Sequence, residues 1–277
     1  QREINAILEY DPNITKRMMI DRNATYVTDA SKAAEGGVDG QLHQLIGSTG
    51  KGVGHARIGR IMRDPDNYPT IGQYIEQGHD FEFANGATLS SMLSDTVPLI
   101  MDYIKAGMNV LIEGTQGSGL SLIHGEHPYV TSADTNAAQF VADAGISPML
   151  VTDILMVVRV FPIRVAGNSG NLKNEITWDE LSGRIGKQVV EKTTVTKKVR
   201  RVGEWDEELF MRAVLLNQPT AIALTFADYL SPEDEGKVNY DELSPRTHAF
   251  VKYLETLSGA KVQFVGTGSE NLTVIER

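Results

Sequence analysis

From about residue 88 onward the chain alternates helical and strand-like apolar patterns, and this alternation restricts its fold more than any other feature. Residues 89–106 carry Met92, Val97, Ile100 and Ile104 at helical spacing, interrupted by Pro98 and stopped by Gly107. Asn109, Val110, Leu111 and Ile112 read as a short buried strand, and Asp134 or Thr135 as the cap of a helix reaching Gly145. Two strand-like runs flank Pro162 within residues 156–165, and Thr177 with Glu180 opens another helix in capping-box style. Then follow a helix over 204–217, a strand over 220–226, a helix over 243–257, and a strand over 261–265 that ends in Gly266, Thr267 and Gly268. This order predicts an α/β fold with a mostly parallel central sheet covered by helices, binding its ligands at the carboxyl ends of strands. The loops expected there, 114–119, 166–170, 228–230 and 266–269, are rich in glycine or small polar residues.

No linker, internal repeat or low-complexity segment divides the 277 residues, so one domain is expected over 1–277. The chain has no cysteine, which excludes disulfides, thiolate metal sites and cysteine nucleophiles. No apolar run approaches the ~18 residues of a membrane span and no leader pattern is present, so a cytoplasmic protein without a membrane partner is expected. A net charge of −10 makes a poor general binder of nucleic acid, whose affinity comes from neutralising phosphates. Positive charge is nonetheless concentrated locally. Residues 187–201 hold Lys187, Lys192, Lys197, Lys198, Arg200 and Arg201 against Glu191 alone, which suits a small anionic ligand better than DNA.

Three constellations could carry chemistry. The segment 47-GSTGKGVG-54 offers exposed N–H groups, two hydroxyls and Lys51 to a phosphate or carboxylate, or is a plain glycine turn; it is not a Walker A loop, because Gly52 follows Lys51. The segment 193-TTVTKKVRRVG-203, if extended, puts Thr194, Thr196, Lys198 and Arg200 on one face; the alternative is a charged edge strand. The stretch 111-LIEGTQGSGLSLIHGEHPYVTSADTN-136 sets Gln116 among glycines after an apolar run and follows it with Thr131 and Ser132. His124 and His127 lie three apart within it without a third nearby ligand, and no protein-held metal is expected. In 55-HARIGRIMRD-64, Arg57, Arg60 and Arg63 recur every three residues and would stack on one helical face.

Together the segments 46-IGSTGKGVG-54, 113-EGTQGSGLSL-122, 128-PYVTS-132, 162-PIRVAG-167, 193-TTVTKKVRRVG-203, 224-LTFADYLSP-232 and 264-FVGTG-268 resemble the adenylosuccinate synthetase family across nearly the whole chain. The resemblance implies a P-loop-related fold without a Walker A loop. It also implies a C–N ligase that condenses L-aspartate onto C6 of a purine nucleoside monophosphate through a 6-phosphoryl intermediate, using Mg²⁺ and ATP, dATP or GTP. Gln116 would meet the 6-oxo edge as the catalytic residue, Thr49, Gly50 and Thr131 the nucleotide with its 5′-phosphate, and Val165 the sugar. Lys51, Thr196 and Lys198 fall on aspartate-binding positions, and Arg200, Asp228, Gly266 and Gly268 on the donor triphosphate's. Arg63 matches an arginine that family homodimers donate to the partner's nucleotide.

The departures from the family pattern are informative. The N-terminal strand and Gly-rich loop, with an aspartate base and metal ligand and a histidine acid after it, have no counterpart here, so a fragment or a truncated homologue is expected. The guanine signature Thr-Lys-x-Asp reads Thr225-Phe226-Ala227-Asp228, which opens the donor site to ATP or dATP. Lys198 stands where ordinary members place an arginine near the ribose, and an ammonium lacks that planar fork. These departures resemble a phage branch that joins dGMP to aspartate on the way to 2-aminoadenine nucleotides, which would work in the host cytoplasm. A cellular-type enzyme acting on IMP and a non-catalytic nucleotide-binding homologue remain the alternatives.

Overall fold

The computed structural model describes residues 1–36, 40–193 and 197–277. Two compact units result, one of Gln1–Gln44, Ser48–Glu113 and Ala144–Ile146, the other of Leu45–Gly47, Gly114–Asp143 and Ser147–Arg277. In chain order the elements up to residue 105 are α1 (Arg2–Leu8), α2 (Ile14–Arg17), β1 (Ile20–Asp21), α3 (Asp29–Glu35), α4 (Gln41–Ile46), α5 (Val53–Met62), α6 (Ile71–Glu76), β2 (Leu93–Ser94) and α7 (Thr96–Lys105). In the first unit Leu8, Ile71, Phe83, Leu89 and Met92 form the core. The strands β1 and β2 pair in parallel, and Asp21 ties α7 to them by accepting the Thr96 N–H at 3.0 Å and its hydroxyl at 2.6 Å. The Thr96 hydroxyl holds the Asp21 carboxyl below its usual pKa.

The helix expected over 89–106 is shorter than its apolar spacing suggests. Ser90–Met92 is a 3₁₀ turn, Leu93 enters β2, and Pro98 sits in the first turn of α7. There a missing N–H costs nothing, because the first-turn donors have no intrahelical partner. Gly107 ends the helix at φ +77°, with Met108 N–H reaching Tyr103 O and Gly107 N–H reaching Ile104 O, a Schellman arrangement. The strand expected at 109–112 does not form: the segment is irregular and Leu111 is 89% exposed. A strand exists through its ladder, and among the described residues none pairs with this segment.

The second unit continues with α8 (Ala137–Asp143), β3 (Leu155–Arg159), β4 (Ile163–Arg164), β5 (Glu175–Ile176), α9 (Trp178–Ile185), β6 (Arg201–Gly203), α10 (Glu207–Asn217), β7 (Ala221–Thr225), α11 (Ala227–Leu230), α12 (Pro245–Ser258), β8 (Lys261–Gly266) and β9 (Val274–Glu276). Its main sheet has the order β3-β7-β8-β9, parallel except for β9. The alternation of strands and helices thus gives the parallel sheet it implied. A small antiparallel sheet, β4-β6-β5, adds to it. Ile222 and Leu224 of β7 and Val262 and Val265 of β8 are fully buried, in one cluster with Leu181 of α9 and Val251 and Leu254 of α12.

Several helix starts follow the sequence signals. Thr177 and Glu180 make both bonds of a capping box, with Thr177 N–H to Glu180 Oε2 at 2.7 Å. For α8, however, Asn136 accepts the Gln139 N–H at 2.9 Å, and neither Asp134 nor Thr135 caps it. For α12, Ser244 caps the helix and is held in turn by Asp234. The Asp234 side chain is fully buried and accepts from Ser244 N–H at 2.7 Å, Ser244 Oγ at 2.8 Å, Thr247 Oγ1 at 2.6 Å and Lys237 Nζ at 3.3 Å. Burial works against its charge, but these donors outweigh burial and lower the pKa. Because the folded pKa lies below the unfolded one, the contribution is complete above about pH 4 and is lost as pH falls through the folded value. Asp234→Ala should therefore destabilise the protein by ~1–3 kcal/mol in urea unfolding at pH 7, through the donors it orphans. The difference between wild type and variant should narrow below pH 4.

Candidate active site

In the first unit the glycine segment is built around a carboxylate that its own sequence does not contain. Gly47, Gly50 and Gly52 all have positive φ, and a Cβ on Gly52 would lie 2.8 Å from Lys32 N. Glu35, at the end of α3 and only 7% exposed, accepts Gly52 N–H at 2.7 Å, Gly54 N–H at 2.8 Å and His55 N–H at 3.4 Å. The amino end of α5 thus takes its anion from within the chain. Thr49 and Lys51 remain exposed, and Gly50 N–H turns to Ser48 Oγ at 3.3 Å. Glu35 is a residue that sequence reasoning missed; it lies 17 residues before Gly52, and no local spacing rule joins the two. Arg63 is exposed, but the even stack of arginines breaks there. The helix α5 ends at Met62, and Arg63 is its C-cap in the left-handed region at φ +59°.

In the second unit the loop 114–125 is zipped to 131–135. Thr131 N–H bonds Leu120 O at 2.8 Å, Leu122 N–H bonds Ala133 O at 3.1 Å, and Thr135 Oγ1 bonds Gly117 O at 3.0 Å. Asp134 latches the same loop from Ser121 Oγ and Ile123 N–H. Gln116 and Thr131 therefore belong to one loop body. Gln116 is exposed, at φ +70°. Gly114 has a packing reason of its own, since a Cβ there would fall 2.0 Å from the Phe140 ring. Also in this unit, Asn168 Nδ2 donates to Leu45 O at 2.9 Å, and Val165 Cγ2 lies 3.2 Å from where a Gly47 Cβ would be. Val165 is 38% exposed beside the start of the glycine segment.

The described ends of the basic stretch are bonded to each other. Thr193 N–H meets Lys198 O at 2.9 Å, Lys197 N–H meets Thr193 O at 3.0 Å, and Lys192 bridges Val199. Lys197 turns the chain at φ +55°, so side chains cannot simply alternate along it. Lys198 is exposed, and Thr196 with its neighbours 194 and 195 lies outside the described residues. Arg200 N–H bonds Glu191 O at 2.8 Å and Arg200 O accepts Trp178 Nε1 at 2.6 Å, while Arg200 Nε is buried without a partner.

At the carboxyl end of β7, Asp228 is 9% exposed, and its Oδ1 has no hydrogen-bond partner. Burial pushes its pKa up. Gly266 closes β8, Thr267 is fully buried with its hydroxyl on Lys237 O and Thr273 O, and Gly268 follows. An unmet buried acceptor beside a parallel-sheet edge is where a ligand's donor fits.

This arrangement can be compared with known proteins. A family model described as adenylosuccinate synthetase matches residues 76–239. An adenylosuccinate synthetase of Methanococcus maripaludis is 38% identical over 258 residues, covering 93% of this chain and 70% of its own. One from Methanocaldococcus jannaschii is 36% identical, covering 94% and 69%. The chain belongs to the adenylosuccinate synthetase family. Among solved structures, the succinoaminodeoxyadenylate synthetase of cyanophage S-2L, bound to dGMP and dATP, superposes with a TM-score of 0.74 at 25% identity, over 93% of this chain and 68% of that one. The fully ligated adenylosuccinate synthetase of Plasmodium falciparum, at 16% identity and a TM-score of 0.80, covers 99% and 82% and has the same fold.

Adenylosuccinate synthetases are C–N ligases that bind a nucleoside monophosphate, aspartate and a triphosphate of the GTP or ATP type, and in general use Mg²⁺. Among the described residues no group of three or more His, Asp or Glu side chains could hold a metal ion, so no protein cage for Mg²⁺ is assigned to them. No helix among them is long and apolar enough to cross a membrane. The Glu35 contact gives a direct test of the glycine segment. Glu35→Ala should cost ~1–3 kcal/mol of stability by orphaning the Gly52 and Gly54 N–H groups. Glu35→Gln, which keeps an acceptor oxygen, should cost less; equal losses in denaturant midpoint would show that these hydrogen bonds contribute nothing.

Proposed function

We propose that this protein joins L-aspartate to C6 of dGMP, driven by a nucleoside triphosphate, with residues 1–277 forming one domain that supplies residues binding the nucleotides and aspartate. The observation that carries the reading is that Gln116 and Thr131 share one hydrogen-bonded loop in a chain of this family. The 6-oxygen takes the terminal phosphoryl group of the triphosphate and releases the diphosphate. Aspartate's amine then forms the C6–N bond, loses a proton and expels inorganic phosphate with the former 6-oxygen. The Gln116 amide would donate to that oxygen, and Thr131, Thr49 and Gly50 would take the 5′-phosphate, with Val165 at the sugar. Lys51, Thr196 and Lys198 would hold the aspartate carboxylates, while Arg200, Asp228, Gly266 and Gly268 would hold the donor, which we expect to be ATP or dATP rather than GTP. Mg²⁺, when bound, would neutralise the triphosphate's charge.

The likeness to a phage enzyme solved with dGMP and dATP supports the deoxyguanylate reading. The higher identity to archaeal adenylosuccinate synthetases supports a second one, in which IMP is the substrate. Crossing dGMP and IMP with ATP, dATP and GTP separates them. Phosphate should appear only when monophosphate, aspartate and triphosphate are all present, and fastest with dGMP. Faster turnover of IMP would select the second reading, and phosphate release without aspartate would sink both.

We also infer a homodimer in which Arg63 serves the partner's nucleotide. Ile58, Ile61 and Met62, all at least half exposed, adjoin Arg63 on the same helix and offer an apolar contact for a two-fold axis. Mixing Arg63→Ala with Thr131→Ala should restore part of the activity that each lacks alone, because one of the two sites in a mixed dimer receives both intact residues. A mixture that exchanges subunits and stays inactive would place Arg63 outside the partner's site.

A further inference from the structure

In the second unit a single side chain joins two loops that are far apart in sequence. Arg164 closes β4, where it pairs with Arg201 of β6 across the small sheet, and its side chain is only 13% exposed. Its Nη1 donates to Ser169 O at 2.6 Å and, at 3.5 Å, to Tyr129 O, while Nη2 meets the Glu126 carboxylate at 3.0 Å. Burial lowers the Arg164 pKa, and the Glu126 charge opposes that shift. On the other side of the same joint Gly170 sits at φ +94°. A Cβ there would lie 2.7 Å from Tyr129 Cβ and 2.9 Å from Arg164 Nη1. The loop 165–170 is also fastened from within. The buried Ser169 hydroxyl donates to Val165 O and accepts from Arg201 Nη1 at 3.2 Å, and the same Nη1 reaches Gly170 O at 2.8 Å. Glu175 holds Arg201 from outside at 2.6 and 2.8 Å.

Arg164 is the chain neighbour of Val165, and Tyr129 lies just ahead of Thr131. Covalent bonds limit the span between the phosphate and the sugar of a nucleoside 5′-monophosphate. Two loops that take one group each must therefore be held at a matching separation. We propose that Arg164 is the positioning residue that sets this separation, bracing the Thr131 loop against the Val165 loop around one purine nucleoside monophosphate. This rests on the reading that Thr131 takes the 5′-phosphate and Val165 the sugar. A guanidinium suits the task, because its planar fork engages the carbonyl of one loop and the carboxylate of the other in fixed directions. An apolar side chain would fill the same space without the cost of burying a charge, but it could not grip Ser169 O, Tyr129 O and Glu126 together. Gly170 lets the two loops close onto that grip.

The test is calorimetric binding of dGMP, IMP and ATP to the protein and its variants, which requires no ligation. Arg164→Lys keeps the charge and loses the fork; it should weaken dGMP and IMP about ten-fold or more and leave ATP unchanged. Gly170→Ala, which forces Tyr129 and Arg164 apart, should show the same selectivity. The two together should lose less than the product of their separate effects, because both act at one joint. Glu126→Ala removes one prong at a half-exposed residue that the fold can spare, and should give a smaller loss of the same kind. It decides the matter if the buried variants fail to fold. In ligation, Arg164→Lys should raise the KM for the monophosphate and leave that for aspartate in place. Folded Arg164→Lys and Glu126→Ala proteins with wild-type affinity for dGMP and IMP would overturn the proposal. So would an equal loss for ATP, or wild-type protein that binds neither monophosphate. Arg164-dependent monophosphate binding without any ligation would leave the brace standing and remove the ligase reading. Ligation by Arg164→Lys at an unchanged KM for monophosphate would do the reverse.

Discussion

Strand polarity is the constraint on which the second unit's site depends. Because β3, β7 and β8 run parallel, their carboxyl ends fall at one edge, and the loops that leave them must start side by side. Arg159, the Phe226–Asp228 turn and Gly266 are far apart in sequence and come together through that register. In β7 the buried Ile222 and Leu224, two apart, turn to the core together, and in β8 the register shifts opposite Ile222 and Ala223, so that Val262 and Val265, three apart, are both buried. A one-residue slip would bury the wrong set and scatter the edge. Core and site are thus consequences of one pairing, and a change that loosened the first would blur the second.

Backbone strain marks the loops with proposed roles. Among the described residues, Arg63, Gln116, Asn174, Lys197, Gln218 and Phe226 hold positive φ without being glycine. Gln218 has an ordinary explanation as the C-cap of α10, where the left-handed turn ends the helix. Gln116 and Phe226 have none of that kind. Each side chain is at least partly exposed, each follows an apolar run, and a glycine would satisfy the backbone more cheaply. Holding an amide at one and an aromatic ring at the other costs ~1–3 kcal/mol at each position, which the rest of the fold must offset. Arg63 follows the same logic at the end of α5, where a cation is kept at a position that glycine usually takes.

Much of this was legible in the sequence, and what was not has identifiable causes. The parallel strands, the Thr177 capping box and α10 follow from local rules of periodicity and hydrogen bonding, which act within a few residues. Residues 109–112 have the composition of a buried strand, but composition cannot supply the neighbouring ladder that would make them one. For 193–203 the sequence offered a shared face only if the stretch were extended; among its described residues Lys197 is left-handed, a conformation that residue type does not announce. Glycines were the most ambiguous signal. Gly114 makes room for Phe140 and Gly52 avoids Lys32, whereas a Cβ on Gly117 or Gly167 would meet open space, so one residue type answers to different demands. Gln116, Thr131 and Asp228 stood out by type and position, whereas Arg159 and Glu191 did not, since their partner is a ring that only the sheet brings near.

Glu35 changes how the glycine segment can work. A helix amino end with free N–H groups is a ready anion site, and a sequence of glycines, hydroxyls and a lysine invites that reading. Here the carboxylate of Glu35 already accepts from Gly52, Gly54 and His55, so the positive end of α5 is neutralised within the fold. A phosphate placed at the same spot would meet a buried like charge at short range, which is strongly unfavourable where water cannot screen it. What the segment still presents to solvent is the Thr49 hydroxyl and the Lys51 ammonium. Glu35 thus uses the amino end of α5 to hold the segment together, and Thr49 and Lys51 stay exposed beside glycines whose positive φ sets the path of the loop.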